Sequence, residues 1–148
     1  MKRRYAREYA LQFVYGMDMI DLAARKKKDY SSELESFWKG THESEAEAKK
    51  FAEDLIQGTI SNLVDIDRLI QKAADKWKLI RIAAIDRNIM RIAVYELIYR
   101  EDIPDAVSIN EALEIAKKFS TSESASFING LLDKISKDLK PKAATQKY

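Results

Sequence analysis

The segment AAIDRNIMRIAVYELIYRED, residues 83–102, decides the fold. Its apolar residues cover most of the circumference of a helix: Ile89, Met90, Ile92, Ala93, Val94, Leu97 and Ile98. A helix that is apolar on nearly every side lies inside a protein, with other helices around it. Asp86 has the side chain and position of an N-cap, and Pro104 follows the expected end of the helix. The segment therefore predicts a buried central helix.

Amphipathic segments flank the central helix on both sides, and their apolar residues recur with a helical period. They start near residues Ala6, Ser32, Glu43, Ile66, Ser108 and Ser124. Ser108 and Glu111 have the spacing of a capping box, and Trp77 continues the apolar face of the helix that precedes the central one. Gly130 interrupts the last helix, which indicates close packing at that position. We predict an all-α fold of about seven helices, because the sequence has almost no strand-like alternation bounded by turn signals.

The composition excludes several classes of function. A chain of 148 residues with 46% hydrophobic residues is long enough for one domain with a core. The absence of cysteine excludes disulfides, thiolate nucleophiles and cysteine-based metal sites. His42 is the only histidine, and phosphate-loop and nucleophile-elbow motifs are missing, so we expect no enzyme, no metal and no cofactor. Without a membrane-spanning run or signal peptide, the sequence predicts a cytoplasmic protein.

Positive charge is concentrated in two parts of the chain. Residues 1–28 and residues 68–100 each carry eight cations and three anions, whereas residues 29–67 are strongly acidic. Arg3, Arg4 and Arg7 stand where the first helix begins, although cations there oppose the helix dipole. We expect them on its solvent side. Arginine grips phosphate through two hydrogen bonds and stacks on bases, so the cluster predicts RNA binding; the alternative is a terminus that only confers solubility.

Two other stretches leave their role open. The basic run RKKK at residues 25–28 lies in an expected loop, where it either is solvated or makes auxiliary contacts with phosphates. The serines that precede the last helix either cap that helix or, with its free amides, bind an anion. Sequence alone does not separate these alternatives.

The segment WKLIRIAAIDRNIMRIAVYELIYREDIPDAVSINEALEIAKKFSTSESASFINGLLDKI, residues 77–135, resembles the NusB family of bacterial transcription antitermination factors. RRYAREYALQFVY, residues 3–15, is similar to the arginine-rich start of that family. The resemblance implies one all-helical RNA-binding domain over residues 1–140, made of two small packed helical bundles. The N-terminal bundle is expected over about 1–80 and the C-terminal bundle over about 81–140, followed by a disordered tail at 141–148.

The resemblance also implies a function and its residues. Family members bind single-stranded boxA RNA of rRNA operon transcripts as heterodimers with NusE, a ribosomal small-subunit protein, and join other Nus factors on RNA polymerase. The residues implied for RNA binding are Arg3, Arg4, Arg7, Gln12, Tyr15, Glu123, Phe127 and Asn129. Asp86 and Arg91 are implied for partner binding.

Two alternatives to this function remain at the level of the sequence. The first is a NusB-like helical module for protein interaction that does not bind RNA by itself. The second is the NusB-like domain that precedes certain rRNA cytosine methyltransferases. We expect no such enzyme here, because the sequence runs from its last helix into a polar tail rather than into an α/β domain.

Overall fold

The computed structural model describes residues 3–20 and 29–139. Within them, seven α-helices and one short 3-10 helix follow each other in the chain. The α-helices are α1 (Arg3–Asp18), α2 (Ser31–Lys39), α3 (Ala46–Ser61), α4 (Leu63–Ala74), α5 (Ala84–Tyr99), α6 (Asp105–Phe119) and α7 (Ser122–Asp138). The 3-10 helix, Leu79–Arg81, lies between α4 and α5. The predicted all-α fold of about seven helices is confirmed. The basic run at 25–28 and the predicted disordered tail at 141–148 lie outside the described residues.

The helix α5 is the centre of the fold. It packs against α1, α3, α4, α6 and α7. Its side chains are buried on every face, including those of Met90 and Val94, which are inaccessible to solvent. The prediction of a buried central helix is therefore confirmed. The boundary between two bundles near residue 80 stays a prediction, since α5 packs against helices from both sides of it and the buried apolar residues form one continuous cluster.

Two predicted helix starts are wrong. The side chains that were expected to cap these helices form hydrogen bonds with residues of other helices instead. The helix α5 starts after Ala83, and Asp86 lies in its first turn, where it accepts a hydrogen bond from the Ser124 hydroxyl at 2.8 Å. The helix α6 starts after Pro104, one turn before the predicted capping box. The carbonyl of Pro104 accepts from the amide of Ser108, and the Ser108 hydroxyl points into the core instead of capping the helix.

The end of α4 also differs from the prediction. The helix ends at Ala74, and Asp75 has a φ of 57°, a left-handed conformation that does not continue an α-helix. Trp77 therefore lies outside the helix whose apolar face it was predicted to extend, and 62% of the residue is exposed to solvent. At the start of α7, the residue that caps the helix is Thr121, which accepts a hydrogen bond from the amide of Ser124. The serines of that segment do not provide the cap.

Neither a membrane span nor a metal cluster occurs among residues 3–20 and 29–139. No helix there is long and apolar enough to cross a bilayer. No group of three or more histidine, cysteine, aspartate or glutamate side chains there is arranged to hold a metal ion.

Close packing occurs at Gly58 rather than at Gly130. A Cβ atom at Gly130 would meet no atom within 4 Å, so the prediction of close packing there is wrong. A Cβ atom at Gly58 in α3 would overlap the ring of Tyr95 in α5. The Tyr95 hydroxyl is bound to the Asp54 carboxylate at 3.2 Å, and its ring stacks on that of Tyr99 with the centroids 5.4 Å apart. The ring is thus held in place against α3.

We predict opposite effects of alanine at these two glycines. Gly58→Ala should lower the free energy of unfolding by about 1–3 kcal/mol, because the added methyl group overpacks the contact between α3 and α5. Gly130→Ala should raise it by up to about 1 kcal/mol, because alanine favours a helix interior over glycine. Urea denaturation followed by circular dichroism measures both. Equal effects of the two substitutions would contradict the assigned packing.

Candidate nucleic-acid interface

Arg4 lies at the surface of α1, in an ion pair with α6. Half of its side chain is exposed, and its Nε and Nη2 donate to the two carboxylate oxygens of Glu111 at 3.1 and 2.6 Å. This hydrogen-bonded pairing raises the pKa of Arg4 and lowers the pKa of Glu111 from their ordinary values. A phosphate that binds Arg4 in the same bidentate way must therefore displace a carboxylate.

Arg3 is the second exposed arginine at the start of α1. Its side chain is 41% exposed, and its guanidinium lies 4.6 Å from the centroid of the Phe51 ring in α3. Its Nη2 is 3.8 Å from the carboxylate of Asp102, which forms a bidentate pair with Arg100. The hydrogen bonds from Arg100 lower the pKa of Asp102 to about 2. Asp102 is mainly engaged by Arg100. The guanidinium of Arg3 is therefore more available to a ligand than that of Arg4, which is paired with Glu111.

Arg7 is buried, with only 4% exposed. Its Nε and Nη2 each donate to the Glu96 carboxylate of α5 at 2.8 Å, and that carboxylate also accepts from the Ser108 hydroxyl at 2.8 Å. The prediction that Arg7 lies on the solvent side of α1 is wrong, because α5 and α6 meet α1 at this position. Its role in RNA binding stays a prediction, and its donors are occupied inside the protein.

The remaining residues implied for RNA binding fall on α1 and α7. Gln12 is exposed and Tyr15 is half-buried on α1, while Glu123 and Asn129 are exposed on α7. Phe127 is half-buried, packs against the core and lines a groove together with Asp86. Arg3 and Arg4 line a different groove, between α1 and α6. Phe127 and the exposed arginines of α1 therefore line two different grooves rather than one.

The two residues implied for partner binding are both buried. Arg91 is 2% exposed, donates to both oxygens of Asp67 at 2.8 Å and to Asn88 at 3.1 Å, and lies 3.2 Å from Asp18. A partner cannot reach its guanidinium in this conformation. Asp86 is buried as well but lines the groove that Phe127 shares. Asp86 therefore lies beside a surface depression, whereas Arg91 is enclosed by its ion-pair partners.

The groove beside Asp86 contains residues that sequence analysis did not single out for binding. They are the exposed Lys76, Trp77, Lys78 and Arg81 of the connection between α4 and α5. The excess of cations in residues 68–100 was a signal for them. The helical period of the apolar residues argued against a binding role for Trp77, since it assigned this residue to a buried helix face.

The sequence pattern of the NusB family matches residues 4–137. The chain belongs to the NusB family. It is 51% identical over 142 residues to the transcription antitermination protein NusB of Thermodesulfovibrio yellowstonii, an alignment that covers 93% of each chain. It is 43% identical to the NusB protein of Myxococcus xanthus, with 90% of this chain and 93% of that protein covered. The resemblance found in the sequence is confirmed.

Solved structures of the NusB family have the same fold. The structure of T. maritima NusB superimposes with a TM-score of 0.84 at 36% sequence identity, and the match covers 99% of this chain and 98% of that one. A crystal structure of the antitermination factors NusB and NusE in complex with dsRNA matches with a TM-score of 0.79 at 22% identity. That match covers 94% of this chain and all of the other, and it concerns the fold alone.

We predict that Arg7 supports folding, in contrast to Arg4. Arg7→Gln should lower the free energy of unfolding by about 3–5 kcal/mol, because it leaves the charge of Glu96 buried without its partner. Arg4→Gln should lower it by no more than about 1 kcal/mol, since that ion pair is partly solvated. Urea denaturation of both variants measures the difference. A stable Arg7→Gln protein would contradict the buried ion pair.

Proposed function

We propose that this protein is a transcription antitermination factor that binds boxA RNA of rRNA operon transcripts as a heterodimer with NusE. In this proposal it joins other Nus factors on RNA polymerase. The observation that carries the proposal is the 51% identity, over nearly the whole chain, to a protein named transcription antitermination protein NusB. The family match over residues 4–137 includes all of α1 except Arg3 and all of α7 except Asp138, and these are the helices that hold the implied RNA-binding residues.

The exposed arginines of α1 are the part of this surface best suited to phosphate. Arg3 and Arg4 keep 41% and 50% of their side chains accessible, and arginine is the residue that matches phosphate geometry best. The neighbouring carboxylates of Glu111 and Asp102 oppose an RNA backbone by repulsion. Two phosphate contacts that compete with carboxylates give a modest and salt-sensitive affinity, so we expect the isolated protein to bind RNA weakly.

A partner protein that supplies further contacts to the same RNA would raise that affinity. NusE has this role in the proposal. The complex of NusB and NusE with dsRNA was solved for a protein of the same fold, which is too distant from this chain to transfer its contacts residue by residue. The motifs of this chain, rather than that complex, support NusE as the partner.

A second candidate function is that of a helical protein-interaction module without RNA binding of its own. The engagement of two of the three N-terminal arginines favours it, because Arg4 is paired with Glu111 and Arg7 with Glu96. In that case the arginines would organise the fold and confer solubility. RNA binding at moderate salt concentration separates the two candidates.

We predict that the double substitution Arg3→Gln with Arg4→Gln weakens RNA binding and leaves the fold intact. Each lost phosphate contact on a single strand removes roughly 0.7 from the slope of log K against log salt, so the slope should fall by about 1.4. Fluorescence anisotropy with boxA-like and scrambled RNA at several salt concentrations measures both affinity and slope.

The matched control is Lys39→Gln with Lys137→Gln, which removes two surface cations from helical ion pairs elsewhere. The control should bind RNA like the wild type. If the arginine variant also keeps the wild-type affinity and slope, Arg3 and Arg4 are not RNA contacts. If the wild type itself does not bind RNA, the interaction-module candidate replaces the proposal.

We further predict that saturating NusE strengthens binding to boxA-like RNA more than binding to the scrambled sequence. The reason is that contacts from a second protein add to the few made by this chain. The measurement is the same titration with and without NusE at one salt concentration. An affinity that NusE does not change would remove the heterodimer from the proposal.

A further inference from the structure

A groove of mixed basic and aromatic character lies between the α4–α5 connection and α7. We call it the connection groove; its lining residues include Lys76, Trp77, Lys78, Arg81, Asp86 and Phe127. Trp77 is 62% exposed, although tryptophan is among the side chains with the highest average burial. Tryptophan is enriched where proteins contact other molecules, so an exposed indole at the edge of a groove is a candidate contact.

The backbone that carries Trp77 is held in place. The Gln71 amide nitrogen donates to the carbonyls of Trp77 at 2.8 Å and of Asp75 at 3.2 Å, and the Gln71 oxygen accepts from the amide of Leu79 at 2.9 Å. From the other side, Arg87 donates to the carbonyl of Ile82 at 3.0 Å. The indole is therefore exposed on a fixed support, and a ligand that stacks on it has less chain entropy to remove.

The cations of the connection groove are available for binding. Lys76, Lys78 and Arg81 are exposed, and none of them forms an ion pair with a carboxylate of residues 3–20 or 29–139. They differ in this respect from Arg4, which has a carboxylate on its guanidinium. Three unneutralised cations beside one another attract a polyanion, and no internal ion pair has to break for it to bind.

We propose that the connection groove binds single-stranded RNA, with a base stacked on Trp77 and backbone phosphates on Lys76, Lys78 and Arg81. Stacking platforms flanked by cations are the general solution for binding single strands. The inference rests on the proposed function and extends its RNA site to four residues that the family resemblance did not assign. Phe127, which the resemblance did implicate, lines the same groove and connects this platform with α7.

The carboxylate of Asp86 is not available to a ligand in this groove. One of its oxygens accepts from the Ser124 hydroxyl, and Oδ1 is buried. The contacts with a ligand therefore come from the aromatic rings and the cations. This combination favours a nucleotide strand, whose bases stack on an aromatic ring, over an acidic protein segment, for which the cations alone are suited.

The first experiment uses the emission of tryptophan. The chain has two tryptophans; Trp38 donates to Glu53 at 2.7 Å and is packed against the core, so Trp77 is the exposed one. Titration with single-stranded boxA-like RNA should quench the emission of the wild type and leave that of Trp77→Phe nearly unchanged. Trp77→Ala should weaken RNA binding by roughly 5- to 150-fold, the range expected for one stacked base.

The controls for this variant address folding and exposure. Because Trp77 projects into solvent, Trp77→Ala should melt at the temperature of the wild type. Val64→Ala, which truncates a strongly exposed apolar side chain on α4 outside the groove, should keep the wild-type RNA affinity.

The second experiment tests the cations. The triple variant Lys76→Gln, Lys78→Gln and Arg81→Gln should reduce the slope of log K against log salt by about 2, with roughly 0.7 for each phosphate contact. The matched control replaces Lys39, Lys50 and Lys137 by glutamine, which changes the net charge equally at sites away from the groove, and it should keep the wild-type slope.

The outcomes distinguish this inference from the proposed function. RNA binding by the wild type with unchanged affinity in Trp77→Ala and an unchanged slope in the triple variant would overturn the inference and leave the proposed function standing. Absence of RNA binding by the wild type would overturn both. If a poly-glutamate peptide quenches Trp77 as strongly as RNA of equal charge does, the groove belongs to an acidic protein segment and the inference is wrong.

Discussion

The carboxylate of Glu96 is the constraint on which the packing around α1 depends. It lies in the interior on α5, where an ionised group is tolerated only when opposite charge and hydrogen-bond donors surround it. Arg7 of α1 supplies a bidentate pairing and Ser108 of α6 supplies a hydroxyl. One buried charge therefore fixes the relative position of three helices. The surface pair of Arg4 and Glu111 lies one turn from Arg7 on α1 and one turn from Ser108 on α6, and it follows from that arrangement.

A second set of polar residues on α5 fixes the positions of α4 and of the end of α1. Arg91 pairs with Asp67 of α4, and Arg87 pairs with Asp18 at the end of α1 at 2.7 Å. Burial opposes ionisation of Asp18, but hydrogen bonds from Arg87 and Asn88 outweigh it and lower the pKa of Asp18 below its ordinary value. Arg87 also binds the carbonyl of Ile82. Through Arg87, α5 thus helps to position the α4–α5 connection that carries the exposed Trp77.

The apolar period of the sequence was sufficient to predict the helices and the central place of α5, because burial of an apolar stripe is a local property of the chain. It was not sufficient where a polar side chain has a partner far away in sequence. By residue type and spacing, Arg7, Ser108 and Asp86 look like surface or capping residues. In the structure each forms a hydrogen bond with a side chain of another helix. Trp77 shows the converse error, since one left-handed residue, Asp75, ends the helix before its apolar face reaches the indole. The motifs identified the family, whereas the accessibility of each site residue depended on tertiary contacts.

We propose that RNA contacts the exposed cations and Trp77, while the buried arginines hold the fold. Side-chain NMR of arginine Nε–H and tryptophan Nε1–H groups during titration with single-stranded boxA-like RNA tests this most directly. We expect shifts for the signals of Arg3, Arg4, Arg81 and Trp77 and constant positions for those of Arg7 and Arg91. Movement of the Arg7 signal, with those of Trp77 and Arg81 unchanged, would contradict it.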